Sequence, residues 1–189
     1  SIEMSLEMYK YAQTQGITDV INTIHFQHPK MDSKNTSYEY VMNEIKKMQA
    51  ELNHHNIDIT IHAASEVFFL PNLTDILDNP ITTFGNYMLI EFETFNLPET
   101  FEEEFYKLQL KGITPIIAHP ERYRKVQENI DIIDVWLERG YLLQMDCGSI
   151  LNHFGDRVYK TTNKILNKGA FHLIGSDAHN NKKRNFCLI

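Results

Sequence analysis

Four glycines punctuate this chain at equivalent places. Gly16, Gly112, Gly140 and Gly169 each close a stretch of helical patterning and stand just ahead of an apolar, strand-like run. A residue without a Cβ lets the backbone turn left-handed at a helix end. Helix, glycine, apolar strand, polar end, helix is the signature of repeated βα units and of a parallel sheet. Helical patterning covers Ser1 to Gln15, Tyr38 to His54, a short Leu73 to Leu77, Thr100 to Leu110, Ile130 to Arg139 and Gly155 to Asn167, with strands between. Six such βα units, with a seventh strand ahead of them, point to a distorted barrel rather than an open doubly wound sheet. In either architecture ligands collect at the carboxyl ends of the strands.

The residues at those ends are metal-binding types. Thr18 to Ile24 runs into His25, Ile57 to Ser65 into Glu66, Asn86 to Ile90 into Glu91, and Ile113 to Ala118 into His119. The apolar run Phe171 to Ile174 leads to Asp177 and His179, and Tyr141 to Gln144 ends near Asp146. Carboxylates and imidazoles together suit manganese, iron or zinc. Glu91 is flanked by apolar residues, so its carboxylate needs a cation or strong hydrogen bonds to offset desolvation; a structural ion pair is the alternative to a metal. His25 alone would be an ordinary core-edge histidine, and the constellation is what singles it out. Arg122 follows His119 by three residues, and Arg184 lies beside Lys182 and Lys183. Guanidinium groups there suit bidentate capture of phosphate, against the alternative of a solvated charge run. His28, His54, His55, His62, His153 and His172 read as non-ligands, and Asp146 has no further support.

Composition excludes several classes. At 189 residues and 42% hydrophobic content, residues 1–189 make one domain with a real core. A net charge of −7 leaves no broad basic face for nucleic acid or an anionic bilayer. No apolar run approaches the roughly 20 residues of a membrane span, and no signal peptide opens the sequence, which predicts a cytoplasmic protein. Cys147 and Cys187 are too few and too far apart in sequence for a disulfide framework or a Cys-rich zinc site, which suits a reducing compartment. Six positions after Cys147 stands His153 rather than the Arg that a cysteine phosphatase loop needs. There is no Walker-type loop, no Gly-x-Ser-x-Gly elbow and no helical zinc-protease motif.

The runs Leu89-Ile90-Glu91-Phe92, Ile116-Ile117-Ala118-His119-Pro120-Glu121-Arg122 and Gly175-Ser176-Asp177-Ala178-His179-Asn180, followed by Arg184-Asn185-Phe186, resemble the bacterial PHP-type protein-tyrosine phosphatases, the CpsB/YwqE group. The resemblance covers nearly the whole chain. It implies a PHP-like α/β fold, a distorted (β/α)7 barrel, with up to three metal ions, usually manganese. It further implies action on phosphotyrosine of a bacterial tyrosine kinase that regulates capsule or exopolysaccharide assembly. By that likeness His25 and His179 would share one metal, and Glu66 would bridge two others. Glu91 and His119 would complete one of these, and Asp177 the other; Arg122 and Arg184 would contact phosphate. A small-molecule phosphatase of the same superfamily, acting for example on histidinol phosphate, and a non-catalytic binding module on the same fold are the competing expectations.

Members of that group open with a strand carrying His-x-His and a loop with Asp-Asp-Gly, and neither is present here. The resemblance thus predicts a barrel lacking its first strand and its C-terminal helix in this sequence. Ser1 stands at the start of a helical pattern without an initiator Met, and the apolar tail Asn185 to Ile189 is expected to lack cover.

Overall fold

The computed structural model describes residues 1–182 and 184–187; Lys183, Leu188 and Ile189, named above in the basic cluster and the tail, lie outside the described residues. Its strands are β1 (Asp19–Phe26), β2 (Thr60–Phe68), β3 (Tyr87–Glu91), β4 (Thr114–Ala118), β5 (Leu142–Asp146) and β6 (Leu173–Gly175). All pair in parallel, in sequence order, as one six-stranded sheet. The helices are α1 (Ile2–Thr14), α2 (Tyr38–His54), α3 (Phe101–Leu110), α4 (Arg124–Glu128), α5 (Ile132–Glu138), α6 (Cys147–Ile150) and α7 (Asp156–Asn167). Successive parallel strands need crossovers, and helices supply all of them except that from β2 to β3, which runs through turns. Gly16, Gly112, Gly140 and Gly169 all hold positive φ at the turns where they were expected.

β1 and β6 are the two edges of this sheet, yet His25 on β1 touches His179, four residues beyond β6. The sheet is therefore curled into a half-barrel, a coarser form of the seven-stranded barrel expected from the sequence.

Two apolar layers follow from the register. The main core, which includes Leu52, Phe105, Ile117 and Trp136, packs the helices against the sheet's convex face. Paired residues of parallel strands share a face. Leu89 pairs with Ile116 and Ile116 with Leu142, which places all three inside the curl, where Leu89, Ile116 and Ala118 pack with Phe84. The same face carries His25 beside Glu66 and Glu66 beside Leu89. Polar residues thus form the upper rim of a cavity whose floor is apolar.

Several local expectations change. Residues 73–77 form turns rather than a helix, because Glu104 of α3, itself buried, accepts the Leu73 N–H at 3.1 Å and pins the segment to the core. The helix expected from Ile130 begins at Ile132, and α4 precedes it. Cys147 and Cys187, distant in sequence, are joined by a disulfide with Cα atoms 6.4 Å apart, because the segment after β6 returns alongside the end of β5, so the two cysteines do not support the reducing compartment expected from their spacing. Phe186 is covered: it is buried against Tyr9, and its carbonyl accepts a hydrogen bond from Gln15 Nε2 at 3.2 Å. No helix among the described residues is long and apolar enough to cross a membrane.

Candidate active site

The mouth of the curl holds a cavity of about 560 Å³, lined by His25, Glu66, His119, Asp146, Asp177 and His179 among others. Its donors come from different strands, and adjacency in the sheet brings them together. His25 and Glu66 lie within strands β1 and β2 rather than after them, as neighbours in register. Glu91 ends β3 and His119 follows β4 directly.

The polar atoms converge closely. His25 Nδ1 lies 3.0 Å from Glu91 Oε1 and 3.8 Å from Glu66 Oε2. His119 Nε2 lies 3.0 Å from Glu66 Oε1 and 3.8 Å from Glu91 Oε2. His25 Nε2 and His179 Nε2 approach to 3.4 Å, and His179 Nδ1 is 3.4 Å from Asp177 Oδ1. Ligand atoms of His25, Glu66 and Glu91 all fall within 4.8 Å of one another. Glu66 and Glu91 are both buried, and two carboxylates held this close in an apolar setting need positive charge between them. His119 is buried, and its Nδ1 has no hydrogen-bond partner among the described residues. The donor set of oxygens and imidazole nitrogens therefore fits a divalent transition metal.

Without such an ion, protons supply the positive charge. The hydrogen bond to Glu91 outweighs burial and holds His25 above the usual histidine range. Burial pulls His119 downward, but its bond to Glu66 and the charges of Glu66 and Asp177 outweigh it, and its pKa is raised. Burial would raise Asp177, yet the charges of His119, Arg184, His179 and Arg122 hold it below the ordinary carboxylate value.

The two arginines occupy the other half of the rim. Arg122 Nη1 donates to Asp177 Oδ2 at 3.0 Å and contacts Asp146 Oδ2 at 3.4 Å, and Arg184 Nη2 donates to the same Asp177 oxygen. Both guanidinium groups lie over the Phe154 ring, at 4.7 and 5.7 Å. Arg184 Nε is buried without a partner among the described residues. An anion able to accept two guanidinium forks would find both aimed at one point.

Backbone geometry aims these groups. His119 at φ 35° and Asp177 at φ 43° adopt the left-handed conformation without being glycine, at a cost of about 1–3 kcal/mol each. His119 is held there by its N–H, which donates to the Gln144 carbonyl at 2.8 Å, and by the short 3₁₀ turn Pro120–Arg122.

All eight residues singled out from sequence reach this rim. Two others join them. Asp146, at the end of β5, is buried beside Arg122, and burial together with the Asp177 charge raises its pKa to about 7. The strand-end rule already pointed to it. His28, read as a non-ligand, brings Nε2 to 3.8 Å from Glu91 Oε1. It sits in a loop that turns back through Gln27 at φ 48°, which no spacing rule reveals. Phe154, under both arginines, carried no sequence signal.

Residues 1–188 match the family model described as capsular polysaccharide synthesis, CpsB/CapC. CapC of Staphylococcus aureus is 30% identical over 191 residues, covering 100% of this chain and 74% of that protein. The tyrosine-protein phosphatase YwqE of Bacillus subtilis is 30% identical over 185 residues, covering 96% and 72%. Among solved structures, those of YwqE from Bacillus subtilis and CpsB from Streptococcus pneumoniae, described as unique metal-dependent tyrosine phosphatases, include a match with a TM-score of 0.90 and 30% identity. It covers 98% of this chain and 75% of that one.

Proposed function

We propose, from the premise that this chain belongs to the CpsB/CapC capsular polysaccharide synthesis family, that it hydrolyses phosphotyrosine in proteins with the help of divalent metal ions. The observation that carries the reading is the convergence of His25, Glu66, Glu91, His119, Asp177 and His179 on one rim, beside Arg122 and Arg184. A bound divalent cation would supply Lewis acidity toward a phosphoryl oxygen and acidify a nucleophilic water.

His25, Glu66, Glu91 and His119 would hold the cations, with Asp177 and His179 on the side of β6. Arg122 and Arg184, braced on Phe154, would turn from Asp177 to the phosphoryl oxygens and neutralise charge that grows in the transition state. The apolar floor of Leu89, Ile116 and Ala118 limits water beneath the reacting group and strengthens these interactions. No side chain need bond to phosphorus. The phenolate leaving group has a conjugate-acid pKa of about 10, so modest proton assistance suffices.

The finer reading is manganese, up to three ions, held in a distorted PHP-like barrel. The substrate is a bacterial tyrosine kinase that regulates capsule or exopolysaccharide assembly in the cytoplasm. Turnover of a phosphotyrosine peptide and of histidinol phosphate, each with manganese and then with chelator, tests the reading. Metal-dependent turnover faster on the peptide is expected. Faster turnover of histidinol phosphate would make it a small-molecule phosphatase, and no turnover of either would leave a binding module.

A further inference from the structure

Next to the metal-type cluster, on the side away from the arginines, the loops after β1, β2 and β3 enclose a separate apolar pocket of about 280 Å³. Pro29, Phe68, Leu70, Pro71, Phe92 and Pro98 line it. It adjoins the rim just described. Phe92 follows Glu91 directly, and the Phe69 N–H donates to the Glu91 carbonyl at 2.9 Å. The Phe68 ring lies 4.9 Å from that of His28, which lies 5.3 Å from that of His25.

The pocket is preformed. Gln27 Nε2 donates to the Phe68 carbonyl at 2.9 Å and to Asn72 Oδ1 at 3.1 Å, tying the first loop to the second. The Phe92 N–H donates to the buried Tyr123 hydroxyl at 3.0 Å. Three prolines among the lining residues restrict the backbone further. Such a site captures a side chain without first having to order its own walls.

Apolar side chains also stand exposed around it, although Asn96 and Thr100 are polar members of its wall. Leu70 is 39% exposed, and on the loops either side Met31 is 45% and Phe95 75% exposed. Glu93 is the charged residue in the wall, which disfavours an acidic occupant. The rim thus carries the Arg122 and Arg184 guanidinium groups on the β4 to β6 side and an apolar recess on the β2 and β3 side, where Arg124 lies over the Phe95 ring at 5.7 Å. A small phosphorylated metabolite would have no use for the recess, whereas a peptide anchored by its phosphate would extend across it.

We propose that this pocket binds an apolar or aromatic side chain flanking the phosphotyrosine of the substrate, and that Leu70 is a specificity-determining residue. The inference rests on the phosphotyrosine reading above. Burying one apolar side chain there gives an expected preference of about tenfold in affinity.

The test measures binding of peptides that carry a non-hydrolysable phosphonate analogue of phosphotyrosine to the protein incubated with manganese, with leucine or serine as the neighbouring residues. Phenylphosphonate is the core probe. Leu70→Asp places a charge at the exposed mouth, and Leu110→Asp, at an exposed position on α3, is the control for folding and general charge. We expect the leucine peptide to bind about tenfold tighter than the serine peptide. That preference should vanish in Leu70→Asp and survive in Leu110→Asp, with phenylphosphonate affinity equal in all three. Equal affinity for the two peptides, or a preference that Leu70→Asp leaves intact, overturns the pocket assignment. An affinity for the leucine peptide that is unchanged when the phosphonate is replaced by a hydroxyl overturns the phosphotyrosine reading while the apolar pocket stands.

Discussion

His25 Nε2 and His179 Nε2 face each other at 3.4 Å, although one belongs to β1 and the other follows β6 at the opposite edge of the sheet. At most one of the two nitrogens carries the proton of a hydrogen bond between them, so at least one lone pair points into the gap. Two imidazoles arranged in this way are poised to share a proton or a cation.

Metal binding should therefore stabilise the fold and compete with protons. Manganese at about 100 times its dissociation constant is expected to add about 2.7 kcal/mol of stability. Glu91 keeps His25 protonated to higher pH than a free histidine, so the gain should be smaller at pH 6 than at pH 8. Thermal melts with and without manganese at both pH values check this, and a larger gain at pH 6 would contradict it.

Removal of one ligand should separate chemistry from folding. For His119→Ala, turnover of a phosphotyrosine peptide should fall by at least about a hundredfold, and metal content should drop with it. The far-ultraviolet circular dichroism should stay that of wild type, since alanine keeps the backbone N–H that donates to the Gln144 carbonyl. Unchanged turnover would remove His119 from the site.

Arg122 and Arg184 meet on one oxygen of Asp177, so their contributions should not add. Arg122→Lys keeps the charge but loses the planar fork and the stacking on Phe154, and kcat/KM should fall by about tenfold to a hundredfold. The double variant with Arg184→Lys should lose less than the product of the single losses. Steady-state kinetics on the four proteins measures the coupling, and strict additivity would place the two arginines on separate tasks.

Asp146 predicts a pH trend for the metal-free protein. Its folded pKa, about 7, lies above the ordinary 3.8 because of burial and the nearby Asp177 charge. A raised value contributes stability that is fully present below about pH 4 and is lost as pH rises through about 7. Asp146→Asn removes that loss. In chelator-treated protein it should melt higher than wild type at pH 8, by about 2–4 °C for each kcal/mol regained. At pH 5 the difference should shrink, and a constant difference across pH would show that Asp146 does not titrate in this window.

The order of elements and their parallel pairing were legible because each βα unit is local. Periodicity, glycine and strand length report on a few neighbouring residues, and Gly16 and Gly112 mark their turns in the sequence as clearly as in the fold. The segment at residues 73–77 was misread because its conformation depends on Glu104, some thirty positions away. His28 and Phe154 were missed for a related reason, since each reaches the rim through a loop whose path depends on contacts distant in sequence. Cys147 and Cys187 looked separate along the chain and are bonded in space.

By itself, then, the sequence determined a repeating βα architecture, an acidic composition and a set of metal-binding residue types at the strand ends, because these depend on short-range pattern and chemistry. The tertiary structure alone decided that the sheet curls far enough for His25 to meet His179, that two arginines share Asp177, and that an apolar recess opens beside Glu91. Those relationships depend on strand register, sheet curvature and loop paths, which arise from packing the whole chain at once and leave no mark on any short stretch of it.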